Sequence, residues 1–422
     1  MNLVSTQTQW ATGQGFFHTG AISPEWNRES IVLTYAMDCG AVGSQVPVRR
    51  ELNALATDDS YRLHERRLDV VFLSHFDWDH ISGIRQLHTI ARPRTYVIPS
   101  TSLVERLYLA ARTAAHSPAE SMPTWYWELL TEPRTWIEGL EGGPDVTEVF
   151  GQPEQEEAAD RPEAYLPFSE LAPESAVPNV LVTPAGRLPS GSYAAAVADS
   201  TGTSGSAGRT LWWVLQTYVT PAAHWHLATF EQRLVSTVPA YAKRRKRPDV
   251  LRWLVDSHWD ELRAAYDASS KVRNLTSLCL YSGPAPTASP RTTFFHAAWG
   301  SPSNPVPSIA GPGWLGAGDA ALDQDAEADS FVAAFAAVLH HVGTFAVPHH
   351  GARSSWNDIL LGAFAARSIP APAAVVGARP GFRGWEHPSL DVVRALGDHG
   401  SALRVVTDQE ASRWSTVTYL EL

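Results

Sequence analysis

The stretch Leu68–Gly83, LDVVFLSHFDWDHISG, constrains this chain more than any other part of it. Val70–Leu73 is a short β-branched and apolar run of the kind that forms a buried strand. It opens directly into His75, Asp77, Asp79 and His80, four potential metal ligands within six residues. A turn at the carboxyl end of a strand can aim His75 and Asp77 at one metal ion, and Asp79 and His80 at a second. Two ions about 3.5–4 Å apart can share a hydroxide, the nucleophile of many hydrolases. The plainer alternative is an exposed turn whose Asp caps a helix, but capping needs one Asp and no imidazole on either side. Cys39 and Cys279 are the only cysteines, so a disulfide framework and a thiolate cluster are both excluded. Any metal must rest on imidazole and carboxylate.

Later segments carry the same kind of residue in the same kind of place. Asp319 follows a short apolar turn at Trp314–Leu315 and precedes a helical pattern at Phe331, Phe335, Val338 and Leu339. A short strand over Thr344–Val347 delivers His349 at its carboxyl end. A carboxylate has two oxygens and can bridge two cations, which suits Asp319, and His349 can complete the first ion's coordination. His350 reads as a ligand, as a partner orienting His349, or as a phosphate contact. His387 opens a helix capped near Ser389 and could ligate or protonate a leaving oxygen. Ser354 and Ser355 could touch a phosphate.

The set of marks resembles the metallo-β-lactamase fold. His75-x-Asp77-x-Asp79-His80-x-x-Gly83 is similar to its metal motif, with Asp77 where most members carry His. That variant resembles the soluble hydrolase domain at the end of ComEC-type DNA-uptake proteins. Gly13-Gln14-Gly15 and Asp38-Cys39-Gly40 resemble the opening hairpin and its Asp, and Asn274–Leu278 the strand that begins the second half. Gly318-Asp319, Val347–Gly351, His387-Pro388 and Thr407-Asp408 resemble the remaining motifs. The resemblance implies an α/β fold, a four-layer αβ/βα sandwich with helices outside two facing sheets. It implies metal ligands at His75, Asp77, Asp79, His80, Asp319 and His349, and catalytic roles for Asp79, His350 and His387. Asp38 is implied to hold the metal loop by hydrogen bonds rather than to ligate. Most members place another His between the first cluster and the Gly-Asp turn. Here His88, His116, His224, His226, His258 and His296 fall in that interval without a ligand context, although His224 and His226 alternate as on one side of a strand. The implied cofactor is a pair of divalent ions, with the oxygen-rich donor set leaning from Zn²⁺ toward Mn²⁺ or Mg²⁺.

The implied activity is metal-dependent hydrolysis of a phosphodiester in DNA or RNA. The residues alone fit ester, lactone or cyclic-nucleotide hydrolysis equally, or a partner-binding subunit with a structural metal site. The net charge of −11 argues against a surface that coats nucleic acid as a whole. Lys243, Arg244, Arg245, Lys246 and Arg247 form a dense basic run, readable as a phosphate-backbone grip or as a solvated loop.

The 422 residues read as one domain with an insertion over 117–271, in which Pro, Glu, Gly and Ser dominate between Ser117 and Gly208. Within it Leu211–Val219 reads as a strand and Leu251–Ala265 as an amphipathic helix, and the segment could engage a protein partner. Ile31–Tyr35 reads as another strand. Met1–Gly15 lacks the basic and apolar regions of a secretory signal, and Phe331–Val347 is too short to cross a bilayer. A cytoplasmic location without membrane contact is expected.

Overall fold

In a computed structural model, the described residues are 2–24, 31–63, 66–116, 121–151, 169–171, 179–183, 185–198, 211–220, 224–269, 276–288, 291–298 and 311–421. They form two sheets of nine strands each. In chain order the strands are β1 (Asn2–Gln9), β2 (His18–Pro24), β3 (Leu33–Met37), β4 (Val70–Phe72), β5 (Thr95–Pro99), β6 (Asp145–Phe150), β7 (Ser169–Leu171), β8 (Asn179–Val182) and β9 (Gly186–Pro189). They continue as β10 (Tyr193–Ala198), β11 (Leu211–Val219), β12 (Leu278–Pro284), β13 (Arg291–Ala298), β14 (Gly313–Gly316), β15 (Val342–Ala346), β16 (Ala373–Gly377), β17 (Leu403–Val406) and β18 (Trp414–Glu421).

The first sheet has the order β13-β18-β1-β2-β3-β4-β5-β6-β9, and the second β17-β16-β15-β14-β12-β11-β10-β8-β7. Each combines an antiparallel part and a parallel part. In the first, β1, β2 and β3 are antiparallel neighbours, then β3, β4, β5, β6 and β9 run parallel. In the second, β14, β15, β16 and β17 run parallel. Parallel neighbours need helical crossovers, so each parallel half carries helices on its outer face.

Side-chain alternation explains the layering. Along β4, Val70 and Phe72 join the core between the sheets, while Val71 and Leu73 join the core under the outer helices. Along β11, Trp213 and Leu215 face inward and Val214 and Tyr218 outward. With three apolar interfaces to cover, the strands read as nearly unbroken apolar runs. The result is the αβ/βα sandwich expected from the sequence.

Several elements differ from their reading in the sequence. The Trp314–Leu315 segment is the interior of β14, not a turn, and the strand expected from Ile31 is β3, which begins at Leu33. The helix expected over Leu251–Ala265 is two helices, Val250–Ser257 and Trp259–Asp267, parted at His258, whose backbone leaves helical angles. The helix bearing Phe331 stops at Ala334, so Val338 and Leu339 pack from the turns beyond it. His224 and His226 lie in the helix His224–Thr237 rather than a strand, so their alternation does not align them. Asn274 and Leu275 of the second-half motif lie outside the described residues. Within residues 117–271 the described strands are woven into both sheets: β6 and β9 into the first, and β7, β8, β10 and β11 into the second. Among the described residues no helix is long and apolar enough to cross a membrane.

Candidate metal centre

The carboxyl ends of the parallel strands of both sheets meet at one place. From the first sheet, β3 leads to Asp38 and β4 runs into Ser74 and His75. From the second, β14 leads to Gly318 and Asp319, β15 to His349 and His350, and β16 ends at Gly377. Loops at the carboxyl ends of parallel strands are where open α/β sheets place their ligands.

The chain turns sharply to reach these positions. Asp38, His349 and His350 hold positive φ of 55°, 47° and 56°, a region that L residues with side chains seldom enter. Gly318 has φ +54°, and a Cβ there would stand 2.5 Å from Ser277 Oγ and 2.8 Å from Ser74 Cβ. Gly40 lets the β3 loop lie against the metal turn, since a Cβ would meet the Asp79 backbone at 2.7 Å. Cys39 N–H then donates to His80 O at 2.7 Å and Gly83 N–H to Cys39 O at 2.8 Å, which clamps the turn.

The imidazoles share one arrangement. His75 Nδ1 is 2.9 Å from Ser74 Oγ, and His349 Nδ1 is 3.0 Å from Ser355 Oγ. His80 Nδ1 donates to Asp38 Oδ2 at 2.7 Å, and His350 Nδ1 donates to Gly377 O at 2.6 Å. Each ring is therefore anchored through Nδ1, and each Nε2 meets a carboxylate of the cluster. His80 Nε2 is 3.1 Å from Asp319 Oδ1, and His75 Nε2 and His349 Nε2 are 3.8 and 3.7 Å from Asp319 Oδ2. His350 Nε2 is 3.2 Å from Asp79 Oδ2, and His75 Nε2 is 3.1 Å from Asp77 Oδ2. Ligand-type atoms of His75, His80 and Asp319 lie within 4.8 Å of one another, as do those of Asp79, His80 and His350.

Asp38 does not reach the centre. Its Oδ1 accepts from Ser74 N–H at 2.7 Å and its Oδ2 from Ser74 Oγ–H at 2.6 Å, besides the His80 ring. Such a bond fixes the ring's tautomer and leaves Nε2 as the donor to a metal. Asp77 stands at the N-cap of the helix Trp78–Ile81 but makes no capping bond. Its carboxylate instead pairs with Arg112, from the helix Leu103–His116. A capping role is thereby excluded, as the sequence argument expected.

The electrostatics fit a cation. Burial works against ionising Asp319, yet His80 and His349 beside it hold its carboxyl well below the usual range. Asp79 is likewise held low, its burial outweighed by the His350 hydrogen bond. Burial lowers the His75 imidazole to about 4, with neighbouring His80 adding to the shift, and burial lowers His349 to about 4. His80 and His350 are held above their ordinary values in spite of burial, by Asp319 and Asp38 for the one and Asp79 for the other. Ionised carboxylates in a dry cluster require positive charge close by. His80 Nε2 is buried and makes no well-formed hydrogen bond, lying against Asp319 Oδ1 instead. Imidazole and carboxylate donors packed in this way suit a divalent ion, so the residues present fit one.

The sequence-derived candidates fall into two groups. His75, Asp77, Asp79, His80, Asp319, His349 and His350 converge, and His387 joins them, its ring 5.8 Å from that of His349 and 6.0 Å from that of His350. Lys243, Arg244, Arg245, Lys246 and Arg247 do not. They lie in and after the short helix Tyr241–Arg244, where Arg244 and Arg247 pair with Asp249 at 3.2 and 3.5 Å and Arg244 lies over Trp253. Among the described residues no hydrogen bond or ion pair joins this run to the cluster. Ser355 is buried against His349, its Oγ bonded to the ring.

Reading the sequence missed Arg112 and the segment Arg379–Trp385. Arg112 had one signal, a lone cation on the side of an amphipathic helix that also buries Tyr108 and Leu109. In the second segment Arg383 lies over the rings of Phe382 and Trp385, and Trp385 is 5.8 Å from His387. Aromatic and arginine residues in a Gly-rich loop gave no periodicity to notice.

Comparison with known proteins agrees with this geometry at the level of superfamily. Residues 53–156, which carry the His75–His80 turn, match the model of the Metallo-beta-lactamase superfamily. Members of that superfamily use divalent metal, and the match together with the cluster supports a metal-dependent hydrolase. The chain is also similar to a long form RNase Z from yeast, at 10% identity with a TM-score of 0.33, over 89% of this chain and 36% of that one. It thus spans little more than a third of that protein's length. No curated protein matches the chain.

Proposed function

We propose that this protein is a metal-dependent phosphodiesterase acting on nucleic acid, with its ions in two adjoining seats on Asp319. One seat comprises His75, Asp77, His349 and Asp319 Oδ2. The other comprises Asp79, His80, His350 and Asp319 Oδ1. The observation that carries the reading is the common orientation of four rings, each anchored through Nδ1 with Nε2 against a carboxylate of the cluster. In this scheme His349 supplies the donor for which no intervening histidine was found, since its Nε2 lies 3.7 Å from Asp319 Oδ2 while His350 Nε2 faces Asp79 Oδ2. Bound there, divalent ions supply Lewis acidity and bring the pKa of water toward neutrality.

The chain's own groups do the rest. Asp38, Ser74, Ser355 and Gly377 O hold the rings in position. Arg379 N–H donates to Gln14 Oε1 at 3.3 Å, which turns the Gln14 amide so that Nε2–H donates to His387 Nδ1 at 3.0 Å. The proton of the neutral His387 ring is then on Nε2. A proton held there suits protonation of the departing oxygen.

The case for nucleic acid rests on the rim beside His387. Trp385 is 38% exposed, an unusual state for a large aromatic side chain, and Arg383 has no carboxylate partner among the described residues. An exposed aromatic with an adjacent guanidinium offers stacking to a base and charge to a phosphate. A donor set of imidazole and carboxylate suits Mn²⁺ or Zn²⁺.

Turnover of bis(p-nitrophenyl) phosphate and of DNA and RNA oligonucleotides with added Mn²⁺ tests the reading. Activity on both, abolished in Asp79→Ala, is the expected result. Hydrolysis of a small ester or lactone with no phosphodiester cleaved would overturn it.

A further inference from the structure

We infer that the two seats are unequal, and that Arg112 makes the seat containing Asp77 the weaker of them and the last to fill; this rests on the metal reading above. Arg112 reaches the cluster from the helix Leu103–His116, its side chain 16% exposed, and pairs with Asp77 Oδ2. The same oxygen lies 3.1 Å from His75 Nε2. The carboxylate oxygen that faces this seat is thus already shared with a permanent cation. Arginine has no acceptor atom and keeps its charge at any working pH, so it cannot become a ligand or withdraw its charge.

Among the described residues nothing comparable stands at the other seat. There Asp79 Oδ2 faces His350 Nε2 at 3.2 Å, and a neutral imidazole is itself a metal donor. Among the described residues no Lys or Arg pairs with Asp79. A divalent ion entering beside Asp77 meets a permanent like charge at close range in a site with little water, whereas one entering beside Asp79 displaces ring protons that can leave and meets no fixed cation.

Arg112 is also held where it is. It lines a small cavity next to His75 with Phe76, Glu105, Leu109 and Thr276. Glu105, the acid nearest to hand on the same helix, is engaged elsewhere, accepting from Thr276 Oγ1 and from Ser102 N–H. Arg112 thus pairs with Asp77 rather than with Glu105, and the Asp319 charge also acts on it. By sharing Asp77, Arg112 acts as a positioning residue: it sets how tightly one ion is held without touching substrate.

Titration of metal-stripped protein with Mn²⁺ tests this, with free Mn²⁺ followed by electron paramagnetic resonance and bound metal counted by elemental analysis. Two binding steps at least about tenfold apart are expected, the scale of one neighbouring charge. Asp77→Asn should remove the weaker step and spare the tighter, and Asp79→Asn the reverse. Arg112→Gln should bring the steps together, while Arg112→Lys, which keeps the charge, should leave them apart. One ion taken up by the wild type and two by Arg112→Gln would be the limiting case of the same behaviour. Two indistinguishable steps in the wild type, loss of the tighter step in Asp77→Asn, or a gap unchanged in Arg112→Gln would each overturn the inference. If Arg112→Gln does not fold, the Asp77→Asn and Asp79→Asn pair still decides it. Failure of the wild type to bind Mn²⁺ at all would instead defeat the metal reading itself.

Discussion

Asp38 shows how a side chain outside the cluster governs it. Its carboxylate accepts from Ser74 N–H, Ser74 Oγ–H and His80 Nδ1, and it is fully buried. Removing the negative charge while keeping the shape leaves His80 free to bond through the wrong nitrogen. Asp38→Asn is therefore expected to weaken metal affinity about 10–100-fold. Competition with a fluorescent chelator reads this directly. An affinity unchanged from the wild type would mean that the Asp38 bond does not set the ring. Ser355 works in the same manner on His349 through a weaker, uncharged contact.

At the scale of the element, what matters is the loop between β16 and the helix Leu390–Asp398. It begins at Gly377, whose carbonyl anchors His350, passes through Arg379, Phe382, Arg383 and Trp385, and ends at His387. Its aromatic and cationic face is separate from the donors, so binding and chemistry can be separated by mutation. Arg383→Ala with Trp385→Ala is expected to raise KM for a single-stranded oligonucleotide about tenfold, the loss of one stacked base. Turnover of bis(p-nitrophenyl) phosphate should stay within a few-fold of the wild type. Equal loss on both substrates would show that the loop supports the centre rather than the strand. The loop was illegible in the sequence because its residues have neither helical nor strand periodicity. Leu68–Gly83 was legible for the opposite reason: strand, turn and candidate ligands are contiguous there.

On the scale of the whole molecule, the two ends of the chain are tied to the first outer helix. Glu51, on the helix Val46–Thr57, bonds Arg413 Nε at 2.7 Å and Arg50 Nε at 2.7 Å. Arg413 lies just before β18 and over the Trp10 ring, and β18 pairs with β1 along their whole length. The Glu51 and Arg413 side chains are 0% and 3% exposed. Taking one member away strands the other as a buried charge, at a cost of about 3–5 kcal/mol. Glu51→Leu should unfold at correspondingly lower denaturant concentration. A shift of less than about 1 kcal/mol would place the pair among the ion pairs that contribute little.

Sequence alone determined the class of fold and named most of the side chains that converge at the candidate centre. Alternation of apolar residues is a local property, and His75, Asp77, Asp79 and His80 need only one turn to come together. Tertiary structure decided which nitrogen each ring presents, because the anchoring bonds cross long stretches of chain: Asp38 to His80, His350 to Gly377 and Gln14 to His387. It also decided that Asp77 meets Arg112 instead of capping a helix, and that the basic run 243–247 has no bond to the centre. A residue's type states what it can donate or accept. Its partner is chosen by packing, and packing is settled only when the two sheets close on each other.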